Sequence, residues 1–264
     1  MNQHPRLESV LKEGYIPSDH ILHDDAVSNS FKTFVKRWPK LYNFLKRTVG
    51  PSHSPFNGYA FKKNIAELFK NDIHHDKVIL NLGSGTHRIH SDIINVDIFP
   101  FKEVDVVADI CNMPFNDASV DGIVCEDVLE HISDISSLLK EVSRVIKPGG
   151  TFILKVPFIY PYHSSPGDFF RWTKEGIKYD LQQYDFDIRK IGVHGGPMGA
   201  LQGILMHVFA IMFSFGSKTV YFLLTQFFMI VFSPLKLLDP LFMLSPFAID
   251  IASDIFIVAE KNKS

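Results

Sequence analysis

From Val78 onward, short apolar runs alternate with loop or helix-like segments, and that alternation predicts a parallel sheet covered by helices. Seven runs have strand character: 78–82, 93–98, 104–110, 121–127, 151–157, 186–193 and 254–261. Between the fourth and fifth, Ile135, Leu138, Leu139, Val142, Val145 and Ile146 recur at helical spacing. Ser133 or Asp134 stands where a helix cap is needed, and Pro148-Gly149-Gly150 stands where that helix should end.

Two segments break the pattern. Residues 1–77 mix aromatic and basic positions with interrupting prolines, and one amphipathic helix is expected near their end, with Ala60, Phe61, Ile65, Leu68 and Phe69 on one side. This arm reads as a lid or substrate-side extension. Residues 200–250 contain LQGILMHVFAIMFSF and TVYFLLTQFFMIVFS, two runs apolar around most of a helix and separated by GSK. Each falls short of the ~20 residues of a bilayer crossing. The strand at 254–261 must return to the sheet, so both ends of the insertion lie on one side of any membrane. Peripheral membrane contact through 200–247 is the expectation, with a dimer interface or a cap over the substrate cleft as the alternatives. The expected organisation is an arm at 1–77, a core at 78–199, the apolar insertion at 200–250 and the last strand and tail at 251–264.

A chain of 264 residues that is 46% hydrophobic can bury one sizeable core. A formal charge of -2 argues against nucleic acid as a partner, although Lys36-Arg37 and Lys46-Arg47 are local basic patches. Cys111 and Cys125 form no spaced framework and read as small core residues in a reducing compartment. The opening residues show no apolar run behind a basic segment, so a cytoplasmic location is expected, with the inner face of a membrane as the site of any contact.

The first strand runs straight into Gly83-Ser84-Gly85. Glycines there let a ligand approach the backbone closely. The third glycine of a dinucleotide fingerprint is missing and no Gly-Lys-Ser/Thr follows, so phosphate-heavy ligands lose ground. A nucleoside-type ligand remains, with Asp97 after the second strand placed to accept from ribose hydroxyls and Asp109 closing the third.

At five linked pieces, NLGSG, NVDI, ADICNMPF, DGIVCEDVLEHI and EVSRVIKPGG, the chain resembles the class I methyltransferases that use S-adenosylmethionine. The resemblance covers about 78–157. It implies a Rossmann-like, doubly wound α/β fold whose seven-stranded sheet has its last strand antiparallel, with the helical arm and apolar insertion as additions. It also implies S-adenosylmethionine as cofactor. Carried across, the resemblance places Gly83 and Gly85, with Asn81 and Ser84 around them, against its methionine part, Asp97 and Ile98 at the ribose, and Asp109 and Ile110 beside the adenine. Met113-Pro114-Phe115 stands where Leu-Pro-Phe is usual. Glu126 faces the methionine part, and His131 lines or supports the site. Asn81, often acidic in that family, and Thr86-His87-Arg88 depart from its pattern.

Methyl transfer needs alignment and, for a hydroxyl acceptor, a base. The segment after the fifth strand resembles a His-x-x-Pro-x-Asp-Phe-x-Arg-Tyr/Trp-Thr block found in methyltransferases of surface-glycan biosynthesis. His163 is the candidate base, with fixing of its own loop as the alternative, and Asp168, Arg171 and Trp172 are the candidate acceptor-binding residues. Asp168 and Arg171 also stand at a pairing distance along the chain, and Thr173 at a cap position. The acceptor expected is a small or lipid-linked molecule, such as a sugar hydroxyl on a glycan intermediate. A lipid or quinone-like phenol is the rival, and a non-catalytic membrane-associated protein of the same fold a third reading. His74-His75-Asp76 lacks further ligands at useful spacing, and no metal is expected.

Overall fold

The computed structural model describes residues 7, 9–13, 59–68, 76–163 and 167–263. Its centre is a seven-stranded sheet in the order β3-β2-β1-β4-β5-β7-β6. The strands are β1 (Ile79–Leu82), β2 (Ile93–Asp97), β3 (Val106–Val107), β4 (Val120–Glu126), β5 (Ile146–Pro157), β6 (Phe186–Gly195) and β7 (Asp254–Lys261). β1 to β5 pair in parallel, whereas β7 lies antiparallel between β5 and β6. This is the Rossmann-like arrangement expected, last strand included.

Side chains alternate across the sheet and build two cores. On one face Leu80, Ile94, Ile123, Phe152 and Leu154 meet α2 (Ile135–Val145) and α3 (Lys174–Gln182). On the other, Ile79, Ile93, Val124, Ile153 and Phe256 meet Phe61, Ile65 and Leu68 of α1 (Tyr59–Leu68). The described parts of the arm are therefore structural cover: α1 closes one sheet face, and Leu7 and Val10 join the opposite core, with Leu11 bridging to Phe115. Phe69 and most of the arm, including its basic patches and His74-His75, lie outside the described residues.

Asp134 caps α2 by accepting from the Ser137 N–H, and Thr173 caps α3 by accepting from the Gly176 N–H. Two boundaries depart from expectation. β3 holds only two residues, because Asp109 turns the chain by accepting from the Cys111 N–H. The helix α2 ends at Val145, before Pro148-Gly149-Gly150, because Ile146 already pairs with Val120 and carries the chain into β5.

The apolar insertion forms a hairpin of α4 (Pro197–Ser214) and α5 (Lys218–Phe232), followed by short helical turns that lead back to β7. Phe209, Phe213, Phe228 and Phe232 pack between the two helices. His207 bonds to the Tyr221 hydroxyl at 2.6 Å, and Gln202 donates to the Met229 carbonyl. The outer stripes are exposed: Ile204, Val208 and Ile211 on α4, Phe215 just past its end, and Val220, Leu223, Phe227 and Ile230 on α5.

Candidate active site

The glycine loop sits at the carboxyl ends of β1 and β2, where ligands bind in open α/β sheets. Gly83 and Gly85 both take positive φ, 64° and 55°. A Cβ on Gly83 would lie 2.4 Å from a Val128 methyl carbon, whereas the space around Gly85 is open. The Asp97 carboxylate closes the loop from the next strand: it accepts from the Gly85 N–H at 2.8 Å and from the Phe99 N–H at 2.9 Å. Each of its oxygens keeps a second lone pair, enough for a ribose diol. The buried Ser84 hydroxyl has no hydrogen-bond partner among the described residues. Such an orphan costs stability unless a ligand or water meets it. Ile98 and Phe99, both exposed beside Asp97, offer an apolar surface for a base. These residues fit S-adenosylmethionine: a free hydroxyl and open backbone at the loop, a diol acceptor, and an apolar ledge next to it.

The adjoining turn is held from α2. Glu141 accepts from the Met113 N–H, while Arg144 donates to the carbonyls of Met113 and Phe115 and pairs with Glu141. That clamp places Asp109, which is exposed, and Ile110, which is buried, on either side of the strand end.

At the ends of β4 and β5 lies a charged nest. The Lys155 side chain is fully buried and its ammonium lies 2.9 Å from Glu126 and 2.5 Å from Asp127. Burial opposes this ammonium, yet Asp127, Glu126 and Asp254 around it raise its pKa above the ordinary lysine value. Burial also pushes the Asp127 carboxyl up to about 7, against the pull of Lys155. Asp127 itself adopts φ 54°, which turns the chain sharply off β4 toward Glu130 and His131.

The described residues of the acceptor-side segment, 158–163 and 167–172, are stapled by Asp168 and Arg171. Arg171 donates to both Asp168 oxygens and to the carbonyls of Tyr160 and Pro161, and Asp168 accepts from the His163 N–H. The guanidinium holds the Asp168 carboxyl down at about 2. The His163 ring has Nε2 3.7 Å from Glu130 and Nδ1 3.5 Å from Asp168. Glu130 raises its pKa, against burial and with help from Asp168. His131, whose Nδ1 meets the Gly167 carbonyl, stands edge to face with His163 at 5.1 Å.

The structure thus gathers Gly83, Ser84, Gly85, Asp97, Ile98, Asp109, Ile110 and Glu126 along one edge of the sheet, with His163, Asp168 and Arg171 on loops beside it. Asn81 lies behind this edge, with its amide spent on Asn95 inside the sheet at 3.0 Å. Trp172 is turned into the core, 5% exposed, and donates to Asp180. It supports the segment by packing. Sequence reasoning passed over Glu130 as a functional group, although it sits in the quoted EDVLEHI piece. It also treated Thr86-His87-Arg88 only as a departure. Arg88 in fact ties the loop to the β2–β3 connection through Glu103, Asp105 and the Ile93 carbonyl. A cleft lined by Lys77, Asp121, Lys147 and Arg189 opens at the opposite end of the strands, away from every one of these groups.

Residues 80–154 match the family described as Methyltransferase domain. A probable S-adenosylmethionine-dependent methyltransferase of Mycolicibacterium smegmatis is 39% identical over 58 residues, covering 22% of this chain and 23% of that protein. The demethylmenaquinone methyltransferase of Staphylococcus haemolyticus is 28% identical over 160 residues, covering 54% of this chain and 55% of that protein. Neither relative is matched over two thirds of its own length. Among solved structures, a phosphoethanolamine N-methyltransferase of Haemonchus contortus superposes with a TM-score of 0.49 at 17% identity, covering 90% of this chain and 61% of that one. The matched family and both relatives are described as methyltransferases, and the name of the Mycolicibacterium smegmatis protein adds dependence on S-adenosylmethionine.

Proposed function

We propose that this protein is an S-adenosylmethionine-dependent methyltransferase that works at a membrane surface and methylates a hydroxyl of a lipid-linked acceptor, such as a sugar of a glycan intermediate. The observation that carries the cofactor half is the Gly83–Gly85 loop closed by Asp97, with the orphan Ser84 hydroxyl inside it. When bound, the cofactor supplies a methyl group on a sulfonium, and the protein has to align, desolvate and activate the acceptor. The loop and Asp97 would hold the nucleoside end, and Glu126 would face the methionine end. The Glu130–His131–His163 cluster is the activating group on the acceptor side, and the Asp168–Arg171 staple positions its segment.

The membrane half rests on α4 and α5. Their apolar stripes are uncovered, and the base of α4 leans on the acceptor segment, where a Cβ on Gly203 would lie 3.1 Å from Pro161. An acceptor drawn from a bilayer would therefore arrive beside His163. Transfer of labelled methyl to a panel of lipid-linked sugars and quinone-like phenols tests the acceptor. The reading expects product from a lipid-linked hydroxyl, lost in His163→Ala while S-adenosylhomocysteine still binds. Transfer only to water-soluble acceptors contradicts it. A quinone-like phenol is the second reading, favoured by the likeness to the demethylmenaquinone enzyme over half of the chain.

A further inference from the structure

Glu130 presents an unusual arrangement. Its carboxylate is 1% exposed, and neither oxygen has a hydrogen-bond partner among the described residues. A buried carboxylate left in this state is expensive, so something should satisfy it. Two imidazoles stand close to it: His131 Nε2 lies 3.8 Å and His163 Nε2 3.7 Å from the same oxygen, Oε1.

The opposite nitrogens of both rings decide what faces Glu130. His131 Nδ1 meets the Gly167 carbonyl, which can only accept, so that nitrogen carries the proton. His163 Nδ1 faces the Pro161 carbonyl at 3.4 Å and Asp168 at 3.5 Å, again two acceptors. Arg171 Nη2 is also near this nitrogen, but its hydrogen bonds go to Asp168 at 2.6 Å and to Pro161 at 3.1 Å. In neutral rings both Nε2 lone pairs then point toward the carboxylate. Three electron-rich atoms then converge, an arrangement that either a proton on His163 Nε2 or a bound cation resolves, and only the cation engages both rings and the carboxylate together.

We propose that Glu130, His131 and His163 form a binding site for a divalent transition-metal cation of the zinc, cobalt or iron(II) class. The inference deepens the methyltransferase reading, and rests on it only for the role of the bound ion. One ligand atom from each residue lies within 4.8 Å of the others. Tetrahedral coordination with metal–ligand bonds of about 2.1 Å needs separations of about 3.4 Å, a closure that small side-chain rotations supply. Two imidazoles and one carboxylate suit a borderline cation better than magnesium or calcium. Each ring's other nitrogen already holds the backbone or carboxylate partner that orients a metal-binding histidine. Three protein ligands leave a fourth position open, which suits an ion that takes an acceptor oxygen rather than one that only holds the fold. The chain positions of these ligands explain why spacing alone did not reveal them: two are adjacent after β4, and the third lies after β5.

The test is titration of cobalt(II) into the chelator-treated full chain, followed by visible absorption and calorimetry. One cobalt per chain is expected, with binding about 100-fold weaker in Glu130→Gln, His131→Gln or His163→Gln. X-ray absorption of the cobalt-loaded unsubstituted protein reads the ligands without any variant and should show two imidazoles with oxygen. An all-oxygen shell, unchanged affinity in Glu130→Gln, or no cobalt band in protein that unfolds cooperatively overturns the inference. S-adenosylhomocysteine titrated into the same preparation separates the two claims. Its binding without a cobalt site removes this inference alone, and cobalt binding without it leaves the metal site standing while the methyltransferase reading falls.

Discussion

Replacing Leu223, Phe227 and Ile230 together by serine should detach the protein from membranes. The three side chains stand at helical spacing on the outer stripe of α5 and are 60%, 57% and 59% exposed. Full burial of such a side chain contributes roughly 1.5–3 kcal/mol. Burying the exposed three fifths of each in the headgroup–acyl boundary gives about 1–2 kcal/mol per residue, or about 3–5 kcal/mol for the stripe. At about 1.4 kcal/mol per tenfold, partitioning should fall by at least ~100-fold. Co-sedimentation of the full chain with phospholipid vesicles reads this directly. The thermal midpoint should barely move, because the three side chains make their largest contacts with solvent. A wild-type chain that stays in the supernatant at millimolar lipid, or a triple variant that pellets as well as the wild type, would refute the reasoning.

Other parts of the site can be probed by stability. Gly83→Ala puts a Cβ against Val128 at φ 64° and should cost roughly 2–4 kcal/mol from backbone strain and overpacking, read by urea unfolding. Lys155→Met strands Asp127, Glu126 and Asp254 without their cation and should cost about 3–5 kcal/mol at pH 8. Part of that loss should return at pH 6 as Asp127 takes up a proton. In the intact protein the raised Asp127 carboxyl, at about 7, holds its proton to higher pH than in the unfolded chain. Its contribution to stability therefore falls as pH rises from the ordinary carboxylate range through about 7. Asp127→Asn should flatten that part of the denaturation profile, and an unaltered slope would contradict the assignment.

The sheet was legible because its signals are local. β7 occupies the predicted 254–261, and β1, β2 and β4 agree within a residue at each end, since buried parallel strands read as unbroken apolar runs between turn residues. Caps at Asp134 and Thr173 were equally local. What the sequence withheld depends on neighbours distant along the chain. Pro148-Gly149-Gly150 looked like a helix stop, but pairing of Ile146 with Val120 decides where the helix gives way. Trp172 resembled an acceptor contact in the quoted block, yet its indole turns inward to Asp180. Glu130 is the clearest case. On a one-dimensional pattern it is one more acid after β4, and only the return of the chain at residues 158–163 brings His163 beside it.

The most direct test of the cofactor assignment is calorimetric titration of the detergent-purified full chain with S-adenosylhomocysteine, with NADH as the control ligand. One molecule bound per chain at micromolar affinity, no NADH binding, and at least about tenfold weaker binding in a folded Asp97→Ala variant are the predicted results. A chain that unfolds cooperatively but takes up no S-adenosylhomocysteine, or that binds it equally well without the Asp97 carboxylate, would contradict the account.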